Sequence, residues 1–225
     1  MIDVERTEAL LGPAATARLR ALHVAVYGLG GVGGWCAEAL LRSGVGRLTV
    51  VDDDIVQPSN LNRQCCATAG TLGMRKCEAM KARLLEIDPA AEITAVSDRF
   101  VPGAAPVACD AIVDAIDSVD CKCALILSAA ASGIGIVSSL GAAKRTDPTQ
   151  VRLMRFSKVE GDALARAMRR RFRLLGEFPP RDLLCAVSSE PPARTEGLGS
   201  MMPVTAAFGL ALASAVLKRA AGGPA

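Results

Sequence analysis

Five glycines fall within Gly28–Gly34 (GLGGVGG), and after a second apolar run the chain reads VDDDIVQPSNLNRQ from Val51 to Gln64. Gly28, Gly30, Gly31, Gly33 and Gly34 lack side chains, so the backbone there can approach phosphate oxygens. The free N–H groups and positive dipole end of a following helix attract the anion. The loop thus specifies a phosphate-bearing ligand without choosing between a dinucleotide held for hydride transfer and ATP that is to be cleaved. Asp52 stands where a dinucleotide fold places its ribose-binding acid. A dehydrogenase has no evident use for the polar run beyond it, Asp53 and Asp54 and then Ser59-Asn60-Leu61-Asn62-Arg63-Gln64. Arg63 and Lys76 supply two cations beyond the second strand, where a triphosphate leaving the glycine loop would pass. Asp117, in Asp114-Ala115-Ile116-Asp117-Ser118, adds an acid at the same edge. A carboxylate beside a triphosphate is repulsive unless a divalent ion lies between them, which makes Asp117 the candidate magnesium ligand.

Such residues need a sheet to carry them, and the hydrophobic pattern supplies one. Short apolar runs at His23–Tyr27, Leu48–Val51, Glu92–Val96, Ala111–Ile116 and Ile134–Ser138 predict strands. Helical periodicity fills Gly31–Arg42, Met74–Ile87 and Val119–Ser132 between them. Alternation of this kind implies parallel strands with right-handed crossovers, a Rossmann-like doubly wound α/β sheet that takes its ligand at the carboxyl ends of the strands. From Gln150 the pattern changes to an antiparallel extension: a strand at Gln150–Val159, a helix at Asp162–Leu175 and a short strand at Leu183–Val187. Residues 176–203 contain five prolines and read as a long ordered excursion or lid. Val204–Lys218 is apolar nearly all round, the mark of a helix buried in a core or a subunit interface. One domain over residues 1–225 is expected, with a helical arm at 1–22, a nucleotide-binding core at 23–140 and a substrate-side extension at 141–225.

At 225 residues, 51% hydrophobic and 3% aromatic, the chain has the make-up of an Ala/Val/Leu-packed α/β protein. No run reaches the length of a membrane span, and the N-terminus lacks a signal-peptide layout, so a cytosolic protein with no membrane partner is expected. The eight cysteines include no C-x-x-C pair and His23 is the sole histidine, which leaves little for a zinc site. The net charge of +3 does not by itself argue for nucleic acid.

Taken together, the GxGGxG loop, Asp52, the S-N-L-x-R-Q segment, Lys76 and Asp114-Ala115-Ile116-Asp117 resemble the ubiquitin-activating-enzyme-like superfamily of adenylating enzymes, of the ThiF, MoeB and HesA type. The resemblance implies an ATP site built from the glycines, Asp52, Asp54, Asn60, Arg63, Gln64, Lys76 and Asp117, with magnesium on Asp117. Arg6-Thr7 and Leu10-Leu11-Gly12 are similar to the segment whose arginine reaches the neighbouring subunit's ATP, implying a homodimer. Within the superfamily, Asp147-Pro148-Thr149-Gln150, Ser157-Lys158 and Asp162–Ala165 resemble the tRNA threonylcarbamoyladenosine dehydratases, as do Cys185–Glu190 and Val204–Gly209. The likeness runs over residues 5–219, with a shorter 176–196 segment and with Lys144-Arg145 as departures.

What the resemblance implies is activation of a tRNA-borne carboxylate by ATP, followed by ring closure with release of AMP and pyrophosphate. The alternative is adenylation of the C-terminal Gly-Gly of a sulfur-carrier protein. A sulfur-relay partner stays open, and Ser189 and Glu190 become candidates for the acyl pocket. Cys185 invites reading as an acyl-carrying nucleophile, yet a cysteine in an apolar run is ordinarily packed and the dehydration needs no acyl-enzyme. Arg166, Arg169, Arg170 and Arg173 recur at i, i+3, i+4 and i+7, one cationic stripe suited to gripping tRNA phosphates. Arg171 adds to its density, and Lys144, Arg145, Arg152 and Arg155 are candidates to extend it.

Overall fold

A computed structural model describes residues 2–222. Two short helices, α1 (Glu5–Leu11) and α2 (Pro13–Ala21), precede the first strand, β1 (His23–Tyr27). There follow α3 (Gly33–Arg42), β2 (Arg47–Val51), α4 (Lys76–Ile87), β3 (Glu92–Val96), β4 (Ala111–Asp114), α5 (Val119–Ala131) and β5 (Gly135–Ser139). The extension adds β6 (Val151–Arg155), α6 (Ala163–Leu175), β7 (Leu184–Ser188) and α7 (Met202–Ala220). One seven-stranded sheet joins them in the order β3-β2-β1-β4-β5-β7-β6. All pairs are parallel except β6–β7, where Leu153 lies opposite Ala186.

The doubly wound fold with an antiparallel addition is therefore the one expected, with differences at element ends. The predicted strand 150–159 stops at Arg155, because Phe156–Lys158 turns away as a short helical turn and buries the Phe156 ring. The short strand expected at Leu183–Val187 is β7, which divides the proline-rich stretch 176–203 and runs parallel to β5 on one side and antiparallel to β6 on the other.

Strand order reverses at β1, with β2 on one side and β4 on the other, and the crevice at such a switch point is where open α/β sheets take ligands. Two apolar layers sandwich the sheet. One gathers Leu40, Leu41, Met80 and Leu84 from α3 and α4 with Phe208, Leu212 and Val216 from α7; the other gathers Leu125 and Ile126 from α5 with Met168 and Phe172 from α6. The apolar closing helix has a buried side against α3 and an outer side on which Leu210 is 52% exposed. Among the described residues α7 is the one helix long and apolar enough to cross a membrane, yet half of that stretch is packed inside the protein.

Candidate functional site

The glycine turn owes its shape to close backbone contact. Gly28 has φ +85°, and a Cβ there would stand 2.6 Å from the Ala115 carbonyl oxygen; one on Gly33 would stand 1.8 Å from the Gly28 oxygen. No other residue fits at either place, so the β1–α3 turn is pressed against the β4–α5 turn. Gly30 differs, because a Cβ there would meet only the tip of Gln64 at 3.9 Å. Gly33 and Gly34, expected to touch the ligand, are not among the cavity-lining residues and serve packing, Gly34 against the Cys65 sulfur.

Around this turn lies a cavity of about 370 Å³ lined by Gly28, Gly30, Gly31, Asp52, Asp54, Asn60, Arg63, Gln64, Lys76 and Asp117. Residues separated by almost ninety positions thus converge at the sheet edge where the sequence analysis expects them. Asp52, expected to face ribose, also braces the loop: its carboxylate accepts the Leu29 N–H at 2.6 Å and the Asp54 N–H at 2.9 Å. Burial pushes the Asp52 carboxyl up, opposed by the Leu29 amide and the Lys76 charge.

Lys76, at the start of α4, pairs its Nζ with Asp54 Oδ2 at 2.8 Å; the lysine side chain is buried while the aspartate is 63% exposed. Arg63 is steered by three contacts. Its Nη1 donates to the Ser59 carbonyl at 2.8 Å and Asn62 Oδ1 at 2.9 Å, and its own carbonyl accepts Trp35 Nε1 at 2.9 Å. Asn60 holds the preceding turn by accepting the Gln57 N–H at 2.9 Å. Gln64 is buried, and its Oε1 has no hydrogen-bond partner among the described residues. A buried, unpaired amide oxygen is costly, so a donor from outside the chain is the natural complement.

Three carboxylates, Asp52, Asp53 and Asp54, approach one another within 4.8 Å. Asp52 is engaged by backbone N–H groups and Asp54 by Lys76. Asp117 is exposed and carries no such partner among the described residues, leaving its oxygens available to a hard divalent cation. Arg6 does not line this cavity. It borders a separate groove of about 830 Å³ between α1 and α7, with Leu10, Leu210 and Leu217.

Two residues of the site escaped the sequence analysis: Arg99, which lines the cavity and pairs with Asp53 at 3.2 Å, and Lys122 behind it. Lys122, in the first half of α5, is fully buried and donates to Asp114 Oδ2 at 2.7 Å and to Ser138 Oγ at 3.2 Å. Ser138 donates to the same carboxylate oxygen at 2.6 Å, while Oδ1 accepts the Ile116 N–H at 3.1 Å. This cluster fixes the β4–α5 turn that presents Asp117. The available signal was a lone lysine inside the apolar helix VDCKCALIL.

In the extension several expectations are corrected. Arg169 does not join an open stripe: its Nη2 donates to the carbonyls of Phe156 at 2.9 Å and Val159 at 2.5 Å, and its guanidinium lies 5.0 Å from the Phe156 ring centre. Arg166, Arg170 and Arg173 are exposed, as are Arg152 and Arg155 on the edge strand. Arg171 pairs with Asp120 at 2.8 Å. Lys144 and Arg145 do not extend the patch. Arg145 is buried beside Asp162 at 3.4 Å, and Lys144 Nζ donates to the Thr195 carbonyl at 2.7 Å, tying down the segment before α7.

Glu190 lies outside the nucleotide cavity and accepts the N–H groups of Thr146 and Asp147 at 2.9–3.0 Å, bonds that hold its carboxyl below the usual range. Ser189 donates to Gln150 Oε1 at 2.6 Å, so both residues clamp the turn before β6. Cys185 is fully buried in β7, where burial pushes its thiol up to about 12, an inert state.

The ThiF family model matches residues 4–224. The tRNA threonylcarbamoyladenosine dehydratase of Escherichia coli is 34% identical over 244 residues, an alignment covering 95% of this chain and 91% of that protein. Its Haemophilus influenzae counterpart is 34% identical over 219 residues, covering 92% and 84%. The solved structure of the E. coli enzyme in complex with ATP superposes with a TM-score of 0.91 at 34% identity, covering 97% of this chain and 93% of the other. A family model spanning nearly every residue, agreement across both halves and a shared sheet leave one placement: this chain belongs to the ThiF family.

Proposed function

We propose that this chain, acting as one domain, is an ATP-dependent dehydratase that cyclises N6-threonylcarbamoyladenosine in tRNA. The observation that carries the reading is the shared cavity. It gathers the glycine turn, the three cations Arg63, Lys76 and Arg99, exposed acids including Asp117 and an unpaired Gln64 amide oxygen in a chain similar throughout to enzymes of that name. Likeness to the dehydratases runs through the extension, over 95% of the chain, which favours this over a carrier-protein adenylyltransferase.

In the first step the substrate carboxylate oxygen attacks the α-phosphorus of ATP and the bond to the β-phosphate oxygen breaks, giving an acyl-adenylate and pyrophosphate. Charge accumulates on the departing pyrophosphate, and Arg63 and Lys76 lie where they would meet it. Lys76 exchanges its hydrogen bond from the exposed Asp54 to a phosphate oxygen. The exposed carboxylate of Asp117 would hold magnesium, which when bound neutralises phosphate charge. In the second step a nitrogen of the same side chain attacks the acyl carbon, AMP leaves and the nitrogen loses its proton, a net removal of one water. Ring closure is intramolecular, so proximity supplies much of the acceleration.

Arg6 is assigned to the neighbouring subunit's ATP in a homodimer, consistent with its lying away from the cavity of its own chain. Arg166, Arg170 and Arg173 are assigned to tRNA phosphates, and a cytoplasmic location follows from a tRNA substrate. Incubation of tRNA carrying threonylcarbamoyladenosine with enzyme and ATP, followed by nucleoside mass spectrometry, should show a product lighter by one water and AMP in equal amount. Unchanged nucleoside with ATP intact would sink the proposal.

A further inference from the structure

Four of the chain's five phenylalanines are buried, at 7% exposure or less; Phe178 is 70% exposed, and nearby Leu174 is 71% exposed. Their position relative to the nucleotide cavity follows from how α6 lies on α5. Cys123 meets the Met168 carbonyl, and three residues earlier on α5 Asp120 pairs with Arg171, three residues later on α6. Along this contact α6 therefore runs toward the amino end of α5, crossing from Gly141 just past the carboxyl end of β5, where Asp162 holds its own amino end. That end of α5 follows directly on Asp117 and Ser118 and contributes Cys121 to the cavity. Leu174 stands roughly 4.5 Å of helix rise beyond Arg171, past the amino end of α5.

Hydrogen bonds and prolines fix the backbone that carries Phe178. Gly176, at φ +68°, ends α6 with its N–H on the Arg173 carbonyl, and the Glu177 N–H meets the Phe172 carbonyl. Pro179 confines Phe178 to extended backbone, and the Leu183 N–H closes the turn on the Pro180 carbonyl. Apart from the Arg171–Asp120 ion pair, the exposed arginines 166, 170, 173 and 181 outnumber the nearby exposed acids Glu177, Asp182 and Asp117.

We propose that Phe178, with Leu174 beside it, is a stacking platform for unpaired nucleobases of the RNA substrate, next to the group being activated; this rests on the proposed tRNA substrate. A preorganised aromatic ring among phosphate-binding cations at the rim of an active site is what single-stranded RNA segments use, since their unstacked bases have free π faces. The surrounding positive charge selects a polyanion over an apolar protein surface.

The test measures binding of labelled tRNA carrying threonylcarbamoyladenosine to the full-length protein over a range of salt. Phe178→Ala should bind about 5- to 150-fold more weakly with an unchanged salt slope, because stacking releases no counterions. Phe178→Trp should restore affinity and gain a fluorescence quenched by RNA. Arg170→Ala should flatten the slope by about 0.7 to 1. Thermal stabilisation by ATP should be the same in all three. Affinity of Phe178→Ala within about twofold of wild type, failure of Trp to restore it, or a change in subunit assembly in place of RNA affinity would each overturn the platform. Wild-type protein that binds no tRNA would overturn the tRNA reading itself.

Discussion

Two lysine–aspartate pairs stand near the carboxyl edge of this sheet with nearly identical internal distances, Lys76–Asp54 at 2.8 Å and Lys122–Asp114 at 2.7 Å. Their surroundings make them different devices. Both partners of the second pair are fully buried, and Ser138 and the Ile116 N–H bind the same carboxylate. Taking those charges from water was costly, and only complete mutual satisfaction offsets it. In the first pair the aspartate is 63% exposed, so water can take it over and free the lysine for another anion. The buried pair holds the shape of the site; the half-open pair is poised to exchange partners.

The sharpest way to break this contrast is to remove each lysine. Lys122→Met should lower the unfolding free energy in urea by about 3–5 kcal/mol by stranding Asp114, and adding Asp114→Leu should recover part of the loss. Lys76→Met should change stability by about 1 kcal/mol or less. Equal losses for the two would erase the distinction.

Activity should reverse the ranking. Lys76→Met, Arg63→Ala and Asp117→Ala should each reduce AMP formation on the order of 10²–10³-fold with the unfolding midpoint retained. Near-normal turnover in Arg63→Ala and Asp117→Ala would remove the proposed site.

The same logic separates two neighbouring arginines. Arg169→Ala, which strands the Phe156 and Val159 carbonyls, should cost about 1.5–3 kcal/mol in urea. Arg170→Ala should stay within about 0.5 kcal/mol while weakening tRNA binding. Smallest of all is Cys185→Ser, for which turnover per folded molecule should match wild type, because a thiol whose pKa is pushed up to about 12 carries no acyl group at neutral pH. An acyl-enzyme trapped on wild type and absent in Cys185→Ser would contradict this.

The nucleotide half was the more legible one. Its strands alternate with helices of clear period, and the turn after β1 is written in glycines, of which Gly28 and Gly33 admit nothing larger. The extension was harder because one spacing rule described four arginines with different fates. A period of 3.6 places Arg166, Arg169, Arg170 and Arg173 on one helix side, but does not say that Phe156 and Val159 lie close enough to draw Arg169 inward. Lys144 and Arg145 depart from the expected patch for the same reason, since their partners are contributed by distant segments.

What the sequence determined alone is the set of local commitments: element types, their alternation along the chain and the chemical identity of the groups that follow the strands, all functions of neighbours within a few residues. Only the tertiary structure decided which charges are spent internally and which remain free for a ligand. Lys122 and Arg145 lie inside, while Asp117 and Arg170 lie outside. The physical reason is that a charge's burial and pairing depend on what packs against it from elsewhere in the chain, and desolvation makes that neighbourhood decide its role.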